Sequence, residues 1–177
     1  LSVDGDDAFL LADYGLDCQP YNTTYTDVTW ETCTLRSWLN GYGASSNTYG
    51  TDYSSNNFIG KAFSSSEQSA IIKTTIENAD NPSYGTEGGN NTSDKVFLLS
   101  LADVTNTKYG FSSDGGKHDP ARWSKASDYA EAQGVRIYNV TDEDYVKYNG
   151  NCWWWLRSPG YFGRDAALVA ILGGAHD

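Results

Sequence analysis

The side chains that could perform acid–base or nucleophilic chemistry are few in this sequence and widely separated. Its two histidines, His118 and His176, both lie in polar, glycine-rich surroundings. Catalysis by a Ser–His or Cys–His pair is recognised by a carboxylate motif or by an elbow such as Gly-x-Ser-x-Gly, and no such motif surrounds these histidines. The consecutive acids at 142–144 are typical of a solvated loop. We therefore expect no catalytic residues, and we predict that the protein is not an enzyme.

The three cysteines, Cys18, Cys33 and Cys152, lack the spacing of a metal site. Two alternatives stay open for them: one disulfide, with Cys18 and Cys33 the pair closest in sequence, or three reduced thiols. The acidic residues in 4–7 do not have the ligand pattern of an EF-hand loop. The sequence predicts no bound metal and no cofactor.

The charge balance restricts the partners of the chain. Its 177 residues include 12 Lys and Arg against 23 Asp and Glu, a net charge of −11. Nucleic acids and anionic membranes are disfavoured, because phosphate contacts need basic side chains. No apolar run approaches the ~20 residues of a membrane helix, so we expect no membrane insertion. The length is typical of a single domain, 1–177.

The Trp153-Trp154-Trp155-Leu156-Arg157 segment is the most informative local feature. Alternate residues of a strand face opposite sides, so Trp153 and Trp155 are predicted to point one way and Trp154 and Leu156 the other. One set belongs to the core, and the other could form a stacking surface for a ring-shaped ligand such as a sugar. Alternatively, all three tryptophans are in the core. Arg157 is expected to form an internal ion pair or hydrogen bonds to the backbone.

Short elements are predicted in the first half of the chain. A hairpin is expected over 1–13, with a turn at Asp4-Gly5 and a buried strand over 8–12. A helix is expected over 29–41, because Leu35, Trp38 and Leu39 share one face and Asn40-Gly41 is a stop signal.

The second half of the chain shows the same mixture. Ser64 and Glu67 have the spacing of a capping box, and 95–100 reads as a core strand. Asp119-Pro120 is predicted to begin a helix that ends at Gly134. Further strands are expected over 135–140, 152–160 and 166–172. The pattern indicates an α+β fold with short twisted antiparallel strands, two or three helices and long polar loops.

Four motifs in this order resemble the bacterial DUF6273 domain over nearly the whole chain. They are Thr29-Trp30-Glu31 with Leu35-Arg36-Ser37-Trp38-Leu39-Asn40, Ala62-Phe63-Ser64 with Glu67-Gln68 and Ile71, Val96-Phe97-Leu98-Leu99-Ser100, and Trp154-Trp155-Leu156-Arg157-Ser158-Pro159-Gly160. The resemblance implies a C-type-lectin-like fold of the formylglycine-generating-enzyme group. It supplies no catalytic residues, and the copper-binding cysteine pair of those enzymes has no counterpart here.

The resemblance also implies that both ends of the chain are truncated. In the family, the Pro-Gly is followed by a frame of the form Ala-Ala-x-Val-x-x-x-Gly and then by Val-Arg-Pro-Ala-Leu. Residues 166–173 fit the frame, but the chain ends at Asp177 before the last motif. We expect one strand before Leu1 and a further segment after Asp177.

Some proteins of this lectin-like group are the variable proteins of diversity-generating retroelements, which hold varied side chains on one surface. By this resemblance, the segment 161–177 lies where relatives often carry Asn or Tyr. Its mixture of aromatic, aliphatic and charged side chains is typical of a binding patch. Whether the segment is diversified or fixed stays open. The candidate ligand-binding residues are Tyr161, Phe162, Arg164, Asp165, Leu168, Ala170, Leu172, Gly174 and His176.

The function that we expect is a non-enzymatic receptor or adhesion domain that binds a protein or glycan ligand. The setting is extracellular or at the cell surface, in a bacterial or phage-encoded protein. One alternative is a fixed carbohydrate-binding module that uses exposed tryptophans, Trp153 or Trp154. Another is an enzyme of the formylglycine-generating type, which would need a reactive cysteine and a metal.

Overall fold

The computed structural model describes residues 1–176, an α+β protein built from short elements. Nine strands and five α-helices occur in this range, and none exceeds seven residues. The class and the short strands confirm the sequence-based prediction, whereas two or three helices were too few. The strands are β1 (Ser2–Asp4), β2 (Asp7–Phe9), β3 (Tyr14–Gly15), β4 (Thr74–Ile76), β5 (Thr92–Asp94), β6 (Lys125–Ala126), β7 (Trp154–Pro159), β8 (Ala166–Val169) and β9 (Ala175–His176). The helices are α1 (Thr34–Asn40), α2 (Phe58–Ala62), α3 (Ser65–Ala70), α4 (Leu101–Val104) and α5 (Asp128–Ala132).

The strands pair within small sheets. Antiparallel pairs form between β1 and β2, between β4 and β5, and between β8 and β9, and the order of the last sheet is β7-β8-β9. The pair β3–β6 is parallel, with Tyr14 opposite Lys125, so the expectation of antiparallel strands was wrong there. Parallel pairing needs a long connection, and the chain between these two strands provides it.

The chain divides into two compact units, each assembled from separate segments. Unit 1 consists of Leu1–Gln19, Leu99–Leu156 and Ala167–His176. Unit 2 consists of Pro20–Leu98 and Arg157–Ala166. Each unit is described by itself below.

Unit 1 has an apolar core beneath its N-terminal hairpin. The hairpin and its turn are confirmed, because Asp4 pairs with Asp7 across it. The buried strand expected over 8–12 was wrong: the strand ends at Phe9, and Leu10 is 80% exposed. Phe9 alone of the strand β2 packs on the core. The core side chains are Leu99, Val104, Phe111, Leu156, Ala167 and Val169.

The helix predicted from Asp119 to Gly134 is interrupted in unit 1. Asp119 and Pro120 begin only a 3₁₀ turn, Pro120–Arg122, and α5 starts afterwards with Ser127 as its N-cap. Residues 125 and 126 instead adopt the extended backbone that pairing with β3 requires. The strand expected over 135–140 is also absent from the described residues, where Ile137 forms only a single bridge to Cys152.

Arg122 holds the loops of unit 1 together. Its side chain is buried, and Nε donates to the Val104 carbonyl at 2.7 Å. Its other guanidinium nitrogens donate to the carbonyls of Ser112, Asp114, Gly115, Lys117 and Gly173. Because buried carbonyls without donors are costly, this side chain replaces the regular secondary structure that the loops lack.

The helix predicted near residue 35 is confirmed in unit 2 as α1, although it begins later than expected. The Cys33 thiol accepts from the Arg36 amide as the N-cap, and Gly41 ends the helix with φ of 69°. A left-handed C-cap of this kind favours glycine. The capping box of Ser64 and Glu67 is also confirmed at the start of α3.

The strand predicted over 95–100 was wrong, and two polar side chains explain why. Asn40 accepts from the amides of Lys95 and Val96 at 3.0 Å each and donates to the Val96 carbonyl at 2.8 Å. Arg157 donates to the Leu98 carbonyl at 2.8 Å and to the Glu77 carbonyl. These side chains therefore occupy backbone groups of residues 95, 96 and 98 that pairing with a neighbouring strand would use. These bonds also confirm the backbone-bonding alternative for Arg157.

Candidate functional site

The turn between β7 and β8 presents the first part of the predicted binding segment, in unit 2. The Gly160 amide donates to the Asp165 carbonyl at 2.7 Å, and the Asp165 amide donates to the Phe162 carbonyl at 2.9 Å. A Cβ atom at Gly160 would lie 2.9 Å from Cβ of Asp165, so only glycine fits this close crossing. The turn is therefore locally tight.

Three donors from other loops of unit 2 fix the backbone of this turn. The Val28 amide donates to the Gly163 carbonyl at 2.9 Å, and Thr86 Oγ1 donates to the Tyr161 carbonyl at 2.9 Å. Asn81 is buried, and its Nδ2 donates to the Pro159 carbonyl at 2.9 Å. The position of the turn thus does not depend on the side chains at its tip.

An exposed cluster of aromatic rings and one arginine surrounds the turn. We call Tyr25, Tyr84, Tyr161, Phe162 and Arg164 the aromatic patch. As whole residues, Tyr25 is 73% exposed, Tyr84 50%, Tyr161 53% and Phe162 45%. The centroids of Tyr84 and Tyr161 lie 4.6 Å apart, and those of Tyr161 and Phe162 lie 4.4 Å apart, with both pairs edge to face. Such pairs contribute about 0.5–1.5 kcal/mol beyond their buried area.

Arg164 and Asp165 connect the rings electrostatically. The Arg164 guanidinium carbon lies 4.3 Å from the centroid of Phe162 and 5.4 Å from that of Tyr25. Contact with the Tyr25 side chain raises the pKa of Arg164, and Asp165 and Asp27 act in the same direction. The Tyr25 hydroxyl donates to Asp165 at 3.0 Å. The side chains of the aromatic patch therefore hold one another in place.

The structure brings Tyr161, Phe162, Arg164 and Asp165, four of the nine predicted residues, together in one turn. Sequence reasoning missed Tyr25 and Tyr84, because they belong to distant polar loops whose composition carries no signal for this contact. Tyr84 reaches the patch through Asn81, whose Oδ1 accepts from the amides of Ser83 and Tyr84 at 2.8 and 3.2 Å.

The rest of the predicted segment lies in unit 1, on the hairpin of β8 and β9. Leu168 pairs with His176, which is exposed. Leu168, Ala170 and Leu172 are half-buried, whereas Gly174 is buried and so presents no surface. Asp177 lies outside the described residues.

The tip of this second hairpin is also held through its backbone. The Trp123 indole donates to the Leu172 carbonyl at 3.0 Å, and Asn151 Nδ2 donates to the Ile171 carbonyl at 2.8 Å. A Cβ atom at Gly173, where φ is 82°, would lie 2.2 Å from the Asp119 carbonyl oxygen. The side chains at 170–172 make no contribution to these bonds.

Comparison with known families adds one finding to this geometry. The family DUF6273, a domain of unknown function, matches residues 5–176, almost the whole chain. The chain belongs to the DUF6273 family. No curated protein and no solved structure is significantly similar to it. The DUF6273 match spans the segments of both units.

The three tryptophans of this DUF6273 domain differ in exposure. Trp153 precedes β7 and is 54% exposed, whereas Trp154 and Trp155 are half-buried. The Trp154 indole donates to the Arg122 carbonyl at 3.1 Å, and the Trp155 indole donates to the Gln19 carbonyl at 3.2 Å. Trp153 is therefore the tryptophan of the three that could stack on a ligand.

The groups that could do covalent chemistry are not assembled in the described part of this DUF6273 chain. His118 and His176 are exposed, and residues 1–176 contain no group of three or more side chains placed to hold a metal ion. All three cysteines are free thiols. Burial raises the pKa of Cys33 to about 12 and also raises that of Cys152. Both buried thiols are thus protonated at neutral pH, and thiols react as thiolates.

The helices of residues 1–176 are all too short or too polar to cross a lipid bilayer.

Proposed function

We propose that this DUF6273 domain is a non-enzymatic ligand-binding module whose binding surface is the aromatic patch. The observation that carries the proposal is the exposed edge-to-face cluster of Tyr84, Tyr161 and Phe162, with Arg164 packed on it. Tyrosine and arginine are, together with tryptophan, the side chains enriched among those that dominate binding energy at protein interfaces.

Pre-organisation gives this surface an advantage in binding. A loop that becomes ordered on binding loses conformational entropy, at about 0.5–1.5 kcal/mol for each immobilised long side chain. Here the carbonyls of Tyr161 and Gly163 are already fixed by Thr86 and Val28. The rings are already packed on one another, so a ligand would meet a surface that needs little further ordering.

The finer assignments of fold and setting are part of the same proposal. We place the domain in the C-type-lectin-like group of folds, and at the cell surface or outside a bacterial cell. Its partner is a protein or a glycan. An acidic chain with a net charge of −11 is a poor ligand for anionic polymers, which agrees with this choice.

A more specific form of the proposal is that a retroelement diversifies residues 161–177. It is supported by two tips whose backbones are fixed from outside the segment, by Val28 and Thr86 at one and by Trp123 and Asn151 at the other. Their side chains could vary without loss of these bonds. Sequencing of the encoding locus tests this form: a near-repeat of codons 151–177 that differs at adenines, beside a reverse transcriptase gene, supports it. A locus without that repeat leaves a fixed binding module.

A screen of the chain against glycan and protein arrays tests the proposal itself. Tyr161→Ala/Phe162→Ala should abolish the binding shown by the unaltered chain. Tyr129→Ala, which removes the ring of a residue that is 52% exposed in unit 1, is the matched control and should bind normally. Equal binding by the two variants would exclude the aromatic patch.

A carbohydrate-binding module that uses Trp153 is the second candidate function. Its supporting observation is the 54% exposure of that side chain. An exposed indole offers a flat apolar face for a sugar ring. If Trp153→Ala loses glycan binding while Tyr161→Ala/Phe162→Ala retains it, the second candidate replaces the first.

A further inference from the structure

Unit 2 contains a cavity whose lining residues include no member of the aromatic patch and none of residues 161–176. Its volume is about 260 Å³. This is just below the ~300–1,000 Å³ of typical ligand pockets, so a small molecule is the size that fits. The lining residues are Asn40, Tyr42, Ile59, Gln68, Lys73 and Lys95.

Two ammonium groups at this cavity have no carboxylate partner among residues 1–176. Lys95 Nζ donates to the Gln68 carbonyl, and Lys73 Nζ lies 5.9 Å from the centroid of the Tyr42 ring. Neither lysine forms an ion pair with any residue in 1–176. In a chain with 23 acidic and only 12 basic side chains, two such lysines at one cavity make a local positive field.

The carboxylate that contacts the lining residue Tyr42 is already paired with a cation. Asp94 is fully buried and is engaged by Arg36 Nε, at 2.9 Å from Oδ1 and 3.0 Å from Oδ2. The Tyr42 hydroxyl donates to the same carboxylate at 3.0 Å, and burial together with Asp94 raises the pKa of Tyr42 to about 12. Tyr42 therefore faces the cavity as a neutral phenol at physiological pH.

The remaining walls suit the carbon skeleton of a ligand. Ile59 is buried, and the Tyr42 ring is held in position by bonds from its hydroxyl to Asp94 and to the Ser93 carbonyl. Asn40 uses both polar atoms of its side chain on the backbone of residues 36, 95 and 96. The two lysines are therefore the polar groups that would contact the head group of a ligand, and they lie beside an apolar wall.

We propose that this cavity binds a small organic anion. The carboxylate or phosphate group lies between Lys73 and Lys95, and the carbon skeleton packs against Tyr42 and Ile59. This site is independent of ligand binding at the aromatic patch, so either can fail without the other.

Titration of the isotope-labelled full chain, followed by NMR, tests the site with two anions and one neutral probe. Benzoate and phenyl phosphate present a carboxylate and a phosphate on the same ring, and benzamide is their uncharged counterpart. At least one anion should cause saturable shifts that centre on Tyr42, Ile59 and Lys73, and benzamide should not. The anion that binds identifies the preferred head group.

Lysine variants distinguish a site from general attraction between charges. Lys73→Gln should weaken the bound anion about threefold, and Lys73→Gln/Lys95→Gln about tenfold, as expected for partly exposed ion pairs. Lys61→Gln in α2 removes an exposed lysine that does not line the cavity, so it should change the affinity by less than the error of the titration. Lys73 lies on the surface and its loss should leave the fold intact, even if Lys95→Gln does not fold.

Three results would overturn the proposal. These are shifts that do not saturate with either anion, equal shifts with benzamide, or equal weakening by Lys73→Gln and Lys61→Gln.

Discussion

Asn81 is the residue whose loss should most loosen the aromatic patch. Its buried amide joins two loops of unit 2, with Nδ2 donating to the Pro159 carbonyl at 2.9 Å. Its Oδ1 accepts from the amides of Ser83 and Tyr84 at 2.8 and 3.2 Å. Asn81→Ala removes these three bonds together and leaves a small space in their place.

The expected cost follows from these bonds. A hydrogen bond contributes about 0.5–1.5 kcal/mol net, and a buried polar group left without a partner costs about 1–3 kcal/mol. Asn81→Ala should therefore lower the free energy of unfolding by about 3 kcal/mol. For a chain of this length, 1 kcal/mol corresponds to about 2–4 °C in Tm, so the expected decrease is about 6–12 °C.

Urea denaturation followed by circular dichroism measures the change in the free energy of unfolding, and thermal denaturation measures the change in Tm. The control is Asn106→Ala, because the half-buried Asn106 side chain also accepts from a nearby backbone amide, that of Lys108 at 3.0 Å. Asn106→Ala should cost about 1 kcal/mol or less, as for an ordinary cap. The near-ultraviolet signal of the packed tyrosines should weaken in Asn81→Ala alone. Equal destabilisation by the two variants would refute the role of Asn81 as a link between the loops.

Two further predictions concern the buried polar groups of unit 2. Asp94→Ala removes the acceptor of Arg36 Nε, of the Trp30 indole and of the Tyr42 hydroxyl. In urea denaturation it should lower the free energy of unfolding by about 3–5 kcal/mol. The control Asp52→Asn, at an exposed position, should change that free energy little. Burial raises the pKa of Cys33 and of Tyr42 to about 12, above the ~8.5 and ~10 of the unfolded chain, so the unfolded state loses these protons first. The contribution of these two groups to the free energy of unfolding should be fully present below about pH 8.5 and should fall steadily towards pH 12. A urea midpoint that is unchanged between pH 8 and pH 11 would contradict the second prediction.

The elements that could be predicted from the sequence are those defined by local signals. The capping box at Ser64 and the stop at Gly41 depend on neighbouring residues, and the structure confirms both. The apolar face of α1 follows from helical spacing alone, and Leu35 and Trp38 are buried as expected.

The elements that could not be predicted depend on partners far along the chain. The apolar run at 95–100 looks like a strand, but Asn40 and Arg157 take up its backbone groups. The helix after Pro120 is broken because residues 125 and 126 pair with β3. No local pattern announces either contact.

The same distinction applies to the candidate site. The mixture of residues in 161–165 drew attention to the turn, and their side chains cluster there. Tyr25 and Tyr84 complete the aromatic patch from other loops, and nothing in their own surroundings predicts it. Gly174 shows the converse: a position in the same segment is buried and presents no surface.

Hydroxyl-radical footprinting of the chain, in the presence of a ligand identified on the arrays, tests the aromatic patch most directly. Hydroxyl radicals oxidise exposed aromatic rings, and the extent of oxidation at each ring is measured by mass spectrometry with and without the ligand. Binding at the aromatic patch predicts protection of Tyr84, Tyr161 and Phe162, with Tyr129 and Trp153 oxidised as before. Protection of Trp153 or Tyr129, with the patch still fully oxidised, would contradict it.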